Sequence, residues 1–318
     1  MNTGARLAIY GLGLVVAFGG AFGIAGAVVP DSALAAWTKG SEMNGHEEGH
    51  NSGGTASAPA ASDPVKGLAV GAHGYLLSPI EAPAAVGEVG EIKFQIQDAS
   101  GAPVTEYKTA HDKDLHLIVV RSDGRQFRHV HPELDEPSGT WSMPWEWAAA
   151  GSYRVFADFT PANAEASGLS LSRTVQVAGQ FAPVAPQPTH VDQVDGFTVA
   201  LDGEMVAGSS SELRIAITRD GEPVTTVEPY LGAFGHLIAL REGDLGFLHV
   251  HAEGETPEAN DTTGPEIVFA AEAPTAGRYL LYLDFKVNGE VHTAEFVLDA
   301  VHSDHTTGAE SASHSEGH

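Results

Sequence analysis

Two stretches of the chain alternate apolar and polar residues and end at the same kind of turn. Ile92, Phe94 and Ile96 alternate with polar residues before a Gly-x-Pro-Val turn, and Leu213, Ile215 and Ile217 do the same further along. An apolar period of two predicts half-buried β-strands. Neither region carries a long helical apolar pattern, so we predict an all-β fold of two tandem immunoglobulin-like β-sandwich domains after one N-terminal transmembrane helix.

The two regions also match in their histidine-containing segments, which indicates an internal repeat. His-Leu-Ile-Val-Val-Arg at 116–121 and Phe-Arg-His-Val-His at 127–131 recur 120 residues later, at 236–241 and 247–251. The segments Gly151–Phe159 and Gly277–Phe285 match at an offset of 126, which leaves six extra residues in the second connecting loop. We therefore predict one domain at 65–178, a Pro-punctuated linker at 179–189 and a second domain at 190–300.

The amino-terminal segment predicts export. Residues 7–30 carry no charge, and about 20 such residues can cross a bilayer as a helix. Arg6 precedes this stretch and acidic residues follow it, which places the body outside the cell. We predict a transmembrane anchor or signal segment at 1–39, a flexible tether at 40–64 and a single-pass cell-membrane protein with an extracellular body. The alternative is secretion after cleavage at Ala33-Leu34-Ala35.

Charge and composition favour cations as ligands. The chain has 16 Lys+Arg against 42 Asp+Glu, a formal charge of -26, which argues against a nucleic-acid partner. It contains 16 histidines and no cysteine, so a transition-metal site in this chain cannot use thiolate ligands. Histidines also recur in the tether and in the polar tail at 301–318, which we predict to be disordered.

Hairpin register brings three histidines together in each repeat. A loop at Asp123-Gly124 places His131 opposite His116 and His129 opposite Ile118. A loop at Gly243-Asp244 does the same for the second set, namely His236, His249 and His251. Residues directly opposite or two apart on paired strands share one face. We therefore predict a three-histidine cluster on one face of each hairpin, and apolar neighbours such as Ile118 and Ile238 indicate that this face is the core-facing one.

Such clusters suit a divalent transition metal. Three neutral imidazoles fit Cu²⁺ or Zn²⁺ with a fourth position left open, and copper is our first choice by affinity. Asp158 and Asp284, on a later strand, are candidate ligands or hold an imidazole N–H. His111 is an extra candidate in the first repeat alone, because Leu231 stands at the matching place. The alternatives are structural histidines and a pH switch.

The region from Trp141 to Trp147 is dense in aromatic residues and has no match in the second repeat. It contains Trp141, Met143, Trp145 and Trp147. Met143 is a possible soft ligand for reduced copper, and the tryptophans are a candidate interaction surface or part of the core.

With its leader, its strand pattern and histidines such as His116, His129 and His131, the chain resembles exported immunoglobulin-like metal proteins of bacteria. These are the YtkA-like and CopC-like copper-handling families and membrane-anchored secreted proteins of high-GC Gram-positive bacteria. The resemblance implies metal buffering, delivery or resistance at the cell surface, with a metal transporter or other surface protein as a possible partner. CopC-like proteins use a histidine at the mature amino terminus, which has no counterpart here.

Two other function classes remain open. A cupin-type enzyme places Glu later after His-x-His and adds a closing histidine, and the chain shows neither, so we predict no enzyme activity. The second alternative is a cell-surface interaction or adhesion module with structural histidines.

Overall fold

The computed structural model describes residues 65–163, 168–258 and 260–302. All of these lie in one compact unit. The predicted anchor, the tether and most of the tail lie outside the described residues, so the structure does not test them. The described part of the chain consists of strands and turns without a helix. It contains no helix with the length and hydropathy needed to cross a membrane.

The first repeat forms two antiparallel sheets. One has the strand order β1-β2-β3-β7-β6 and the other β5-β4-β8-β9. The strands are β1 (Gly71–Ala72), β2 (Tyr75–Leu77), β3 (Gly90–Gln97), β4 (Leu115–Arg121), β5 (Arg128–Val130), β6 (Glu133–Asp135), β7 (Thr140–Trp145), β8 (Gly151–Phe159) and β9 (Leu169–Val177).

The second repeat has the same plan with one change. Its sheets have the orders β10-β11-β12-β16-β15, with β13 added on β12, and β14-β17-β18. The strands are β10 (Val191–Val194), β11 (Phe197–Asp202), β12 (Ser210–Arg219), β13 (Glu222–Pro223), β14 (His236–Arg241), β15 (His249–Ala252), β16 (Glu266–Glu272), β17 (Gly277–Val287) and β18 (Glu290–Ala300). No described strand stands where β5 stands in the first repeat.

Each repeat is a β-sandwich, because its two sheets share one apolar core. In the first repeat Ile92 and Phe94 of one sheet pack with Leu117 and Val155 of the other. The second repeat has the corresponding core of Leu213 and Ile215 with Leu237 and Leu281 among its members. The alternation seen in the sequence therefore buries the residues that it predicts to be buried.

The two matching Gly-x-Tyr segments begin corresponding strands. The Tyr153 hydroxyl donates to the carbonyl oxygen of Ala149 at 2.7 Å, and the Tyr279 hydroxyl donates to that of Thr275 at 2.7 Å. Both bonds span four residues of chain and fix the turn into β8 and β17, so the duplication extends to this detail.

A third apolar core joins the two sandwiches. Strands β4 and β14 send alternate side chains to opposite faces, and Leu117 and Leu237 point into their own sandwiches. The alternate residues, such as Ile118, meet those of the other repeat in a cluster of Ile118, Val120, Phe156, Ile238, Leu240, Leu245, Leu280 and Tyr282. The strand face that carries the histidines is therefore buried, but it is buried between the two repeats. Our expectation that it faces the interior of its own sandwich was wrong, because that interior is filled by the other strand face.

The predicted register of the first hairpin is confirmed. Ile118 lies opposite His129 and Leu117 opposite Val130. The loop differs from the predicted two-residue turn, since Arg121 bonds to Arg125 and Gly124 adopts a φ of 79°. This is a three-residue loop with glycine in the left-handed position. Gln126, at a φ of 58°, adds one residue before β5 and restores the register.

The second hairpin opens where the first stays paired. Leu240 still lies opposite Phe247 as the predicted register requires. Beyond that point β15 pairs with β16 in the other sheet, with His249 opposite Glu272 and His251 opposite Ala270. The predicted placement of His251 across from His236 was therefore wrong, because β14 pairs with β17 and not with β15.

The tryptophan segment of the first repeat is part of its core. Trp141, Trp145 and Trp147 are only 3%, 2% and 2% exposed, and Met143 packs against the same cluster. Arg128 covers the Trp145 ring at 3.7 Å from its centroid. The indoles are thus not available as a contact surface.

Candidate metal centre

Three histidines of the first repeat converge on a single point. His116 extends from β4, and His129 and His131 come from β5 and the residue after it. The Nδ1 atom of His116 lies 3.1 Å from Nε2 of His129 and 3.2 Å from Nε2 of His131. One ligand atom from each lies within 4.8 Å of the other two. Imidazoles bound to one tetrahedral ion at about 2.05 Å would have nitrogens about 3.3 Å apart, so the spacing is that of a metal site.

The outer nitrogens of two of these rings have hydrogen-bond partners. Nε2 of His116 lies 3.0 Å from the carbonyl oxygen of Ala110, which can only accept, so this nitrogen carries the hydrogen. Nδ1 of His129 lies 2.7 Å from Oδ2 of Asp284 and donates to it when the carboxylate is ionised. A neutral imidazole has one N–H. With Asp284 ionised, His116 Nδ1 and His129 Nε2 therefore face each other as two lone pairs.

Asp284 reaches His129 from the other repeat. It lies on β17 directly opposite His236, and its second oxygen accepts a hydrogen bond from the Thr293 hydroxyl at 2.6 Å. The side chains of His129 and Asp284 are 0% and 3% exposed. A buried carboxylate that holds the outer N–H of a ligating histidine orients the ring and makes it a better ligand.

Asp158 occupies the matching place in the first repeat but meets a different partner. It lies opposite His116 on β8, and Oδ1 accepts from the Ser170 hydroxyl. Like Asp284 it is bonded to a hydroxyl on the next strand, yet within the part of the chain that the structure describes no imidazole N–H donates to it. Burial raises the pKa of Asp158.

His236 of the second repeat lies against the three converging rings. Its ring is stacked on His116 at a centroid distance of 5.7 Å and on His129 at 5.0 Å. The structure thus joins part of the second predicted cluster to the first. The backbone of His249 and His251 lies in β15, on the other sheet of its sandwich, so the second hairpin does not repeat the arrangement of the first.

His111 lies at the solvent side of the group. It is exposed, has a φ of 48°, and its ring centroid is 5.3 Å from that of His236 and 6.1 Å from that of His116. A cavity of about 1050 Å³ opens beside it, and its lining includes Lys66, His111, His116, Asp158, His236 and Phe247. The cavity gives small solutes a route to His116 and His236.

Burial keeps the converging rings neutral. It lowers the pKa of His129 to about 3, helped by the nearby His116, and lowers that of His131 to about 3. The pKa values of His116 and His236 are also lowered, first by burial. Burial raises the pKa of Asp284 to about 7. Neutral imidazoles are the form that binds metal ions, so the rings themselves have no proton to lose when a cation binds below neutral pH.

Sequence reasoning found every histidine in this group but missed how the repeats meet. The contact between His129 and Asp284 joins residues 155 positions apart in the sequence. Strand patterning does not reveal which residues of the two repeats come into contact. One feature pointed to it: β4 contains a continuous apolar run, Leu117 to Val120, and such runs are typical of strands buried on both faces.

Fold and site together define a class: an all-β protein of two packed β-sandwich repeats, with a cluster of three histidines from the first repeat where the repeats meet. The chain belongs to the family described as domain of unknown function DUF8832, whose sequence profile matches residues 72–176 and 192–302. The search of curated proteins gives no match.

Three solved structures with partial likeness to this chain are distant from it. A Salmonella alpha-2-macroglobulin is 15% identical with a TM-score of 0.23, over 75% of this chain and 15% of that one. Invasin, a bacterial integrin-binding protein, is 13% identical with a TM-score of 0.21, over 72% and 39%. Domains 5-6 of the S-layer protein SbsC are 12% identical with a TM-score of 0.22, over 72% and 99%. At these scores the likenesses decide nothing about function.

Proposed function

We propose that this protein binds one divalent transition metal ion, copper or zinc, through His116, His129 and His131. The leader and the resemblance to exported metal-handling proteins support a role outside the cytoplasm, on the membrane or secreted. There the protein would buffer the metal, deliver it to a transporter or other surface protein, or confer resistance. The proposed role is binding, not catalysis.

One observation carries the proposal: Nδ1 of His116 lies 3.1 Å from Nε2 of His129 and 3.2 Å from Nε2 of His131. Nε2 of His116 donates to the carbonyl oxygen of Ala110, so Nδ1 of His116 carries a lone pair that points into this group. When Asp284 is ionised, Nδ1 of His129 donates to it and Nε2 of His129 presents a second lone pair. A metal ion at this point would take both lone pairs, and that of His131 Nε2, at the nitrogen spacing of a tetrahedral site.

The donor set favours particular ions. Neutral imidazoles suit Zn²⁺ and Cu²⁺, whereas Mg²⁺ and Ca²⁺ require oxygen ligands. The chain has no cysteine, and Met143, the candidate soft ligand for reduced copper, is packed in the sandwich core. Divalent copper and zinc are therefore the ions that we expect to bind.

The test is a calorimetric titration of the full chain with Cu²⁺ and with Zn²⁺. We expect one tight site, besides weaker binding by histidines of the tether and tail. The double variant His129→Ala with His131→Ala should lose that site, with affinity reduced by roughly 100-fold or more, since the loss of even an outer partner costs about 10–100-fold.

The second repeat supplies the matched control. His249→Ala with His251→Ala removes the same number of histidines from the equivalent motif and should keep the tight site. Equal loss in both variants, or no tight site in the unaltered protein, contradicts the proposal. In the latter case structural histidines in a cell-surface interaction module become the better interpretation.

A further inference from the structure

We infer that His236 is the fourth protein ligand, so that both repeats hold a single ion between them. This inference rests on the proposed function and extends it. Three ligands come from the first repeat, and the fourth comes from the first residue of β14 in the second. The protein would then bind one ion per chain at the repeat interface, and not one in each repeat.

Ring positions support this assignment. An ion about 2.05 Å from a nitrogen that lies about 1.1 Å from its ring centre gives neighbouring ring centroids about 5.2 Å apart in a tetrahedral set. The three converging rings have centroid distances of 5.2, 5.0 and 5.0 Å. His236 lies 5.0 Å from His129 and 5.7 Å from His116. Its ring is therefore close to the distance of a fourth ligand from two of the three converging rings.

The orientation of the His236 ring differs from that of a ligand. Its plane makes an angle of 5° with the His116 plane and 27° with the His129 plane, so it is stacked on these two rings and does not aim a nitrogen at them. The torsion that turns an imidazole about its Cβ–Cγ bond is broad. Rotation about that bond moves a nitrogen toward the three converging nitrogens while the ring centre stays near its place.

The surroundings of His236 permit this rotation. Its described contacts are ring-to-ring, with His111, His116 and His129. One side of the residue lines the cavity next to His111, which gives the ring space to turn. Asp284, directly opposite on β17, is engaged with His129 and Thr293. It therefore does not hold His236 in the stacked orientation.

The experiment counts imidazole nitrogens around Cu²⁺ by pulsed electron paramagnetic resonance, with one equivalent of Cu²⁺ added to the full chain. We expect four in the unaltered protein and three in His236→Phe, which keeps a stacked ring but has no lone pair. The affinity of His236→Phe for Cu²⁺ should fall about tenfold or more. The control is His111→Phe, which changes an exposed ring of the same group and should leave both readouts unchanged.

The outcomes separate the two proposals. Three nitrogens in the unaltered protein, or an unchanged nitrogen count and affinity in His236→Phe, overturn the role of His236 while the three-histidine site stands. Absence of tight Cu²⁺ binding in the unaltered protein overturns the proposed function itself. If His236→Phe does not fold, the count in the unaltered protein still decides between three and four ligands.

Discussion

The two repeats have the same sheets and the same His-Val-His segment, yet they use that segment differently. In the first repeat the chain stays paired with β4 through Val130, so that His129 and His131 reach the face between the repeats. In the second repeat the chain leaves β14 after Leu248 and pairs with β16 from His249 onward. A duplicated sequence has thus produced one asymmetric site, because the crossing between sheets comes earlier in the second copy.

The residue after each His-Val-His segment differs in a way that fits this change. Pro132 follows His131 and has no N–H with which to extend the pairing on β4, so β5 ends and β6 begins on the other sheet. Ala252 follows His251 and lies within β15, opposite Phe269. The proline marks where the chain of the first repeat crosses from one sheet to the other. The second repeat has no proline at the matching place, and β15 continues through the corresponding positions.

The largest effect should come from separating the repeats. Tyr282 stacks on Phe127 at a centroid distance of 3.9 Å, and its hydroxyl donates to the Gly124 carbonyl. Tyr282→Ala should lower the free energy of unfolding by about 3–5 kcal/mol, measured by urea denaturation. Tyr282→Phe, which resembles Phe156 at the matching place, should cost about 1 kcal/mol. Two separate unfolding transitions, with only one shifted by Tyr282→Ala, would contradict a shared core.

A smaller effect should distinguish the two matching aspartates. Asp284 holds the outer N–H of His129, whereas Asp158 is bonded to the Ser170 hydroxyl. Asp284→Asn should lower Zn²⁺ affinity by about 10–100-fold, because the ring loses its charged partner. Asp158→Asn is the matched control and should bind Zn²⁺ within about threefold of the unaltered protein. Equal losses in the two variants would show that Asp284 has no special role toward the site.

Much of the fold could be predicted from the sequence, since alternation fixes which strand faces are apolar. The register of the first hairpin followed from turn residues and strand pairing, and the extra residue Gln126 compensates for the longer loop. The crossing of β15 could not be predicted. Leu240 and Phe247 remain paired as the pattern requires. The two repeats differ from His249 onward, where the chain can pair either with β14 or with β16.

The site was predicted residue by residue but not as an assembly. The histidines of β4 and β5 share a face because of the strand period, which the sequence contains. The contact between His129 and Asp284 depends on how two sandwiches dock, and docking is decided by the shape of faces built around residues such as Ile118 and Tyr282. Local sequence patterns carry no information about which residues of the two sandwiches come into contact.

The smallest predicted effect is the pH dependence of ion binding, which again separates the buried site from the exposed histidines. Burial raises the pKa of Asp284 to about 7 and lowers that of His129 to about 3. Below pH 7 the Asp284 carboxyl group is protonated and no longer requires a hydrogen bond from the N–H of His129. Ion binding must then displace one proton, so Zn²⁺ affinity should fall by up to about tenfold per pH unit from pH 7 to 6.

Asp284→Asn removes that titrating group and should bind Zn²⁺ more weakly but with little change between pH 8 and 6, because the buried rings stay neutral over this range. The other groups around Asp284 are His236, Thr293 and Tyr230, and burial raises the pKa of Tyr230 to about 12, so the tyrosine does not titrate here. Competition titrations at several pH values measure the slope. If the slope persists in Asp284→Asn, histidines with an ordinary pKa near 6.5 hold the ion, and the tether and tail, not the repeat interface, are then the binding region.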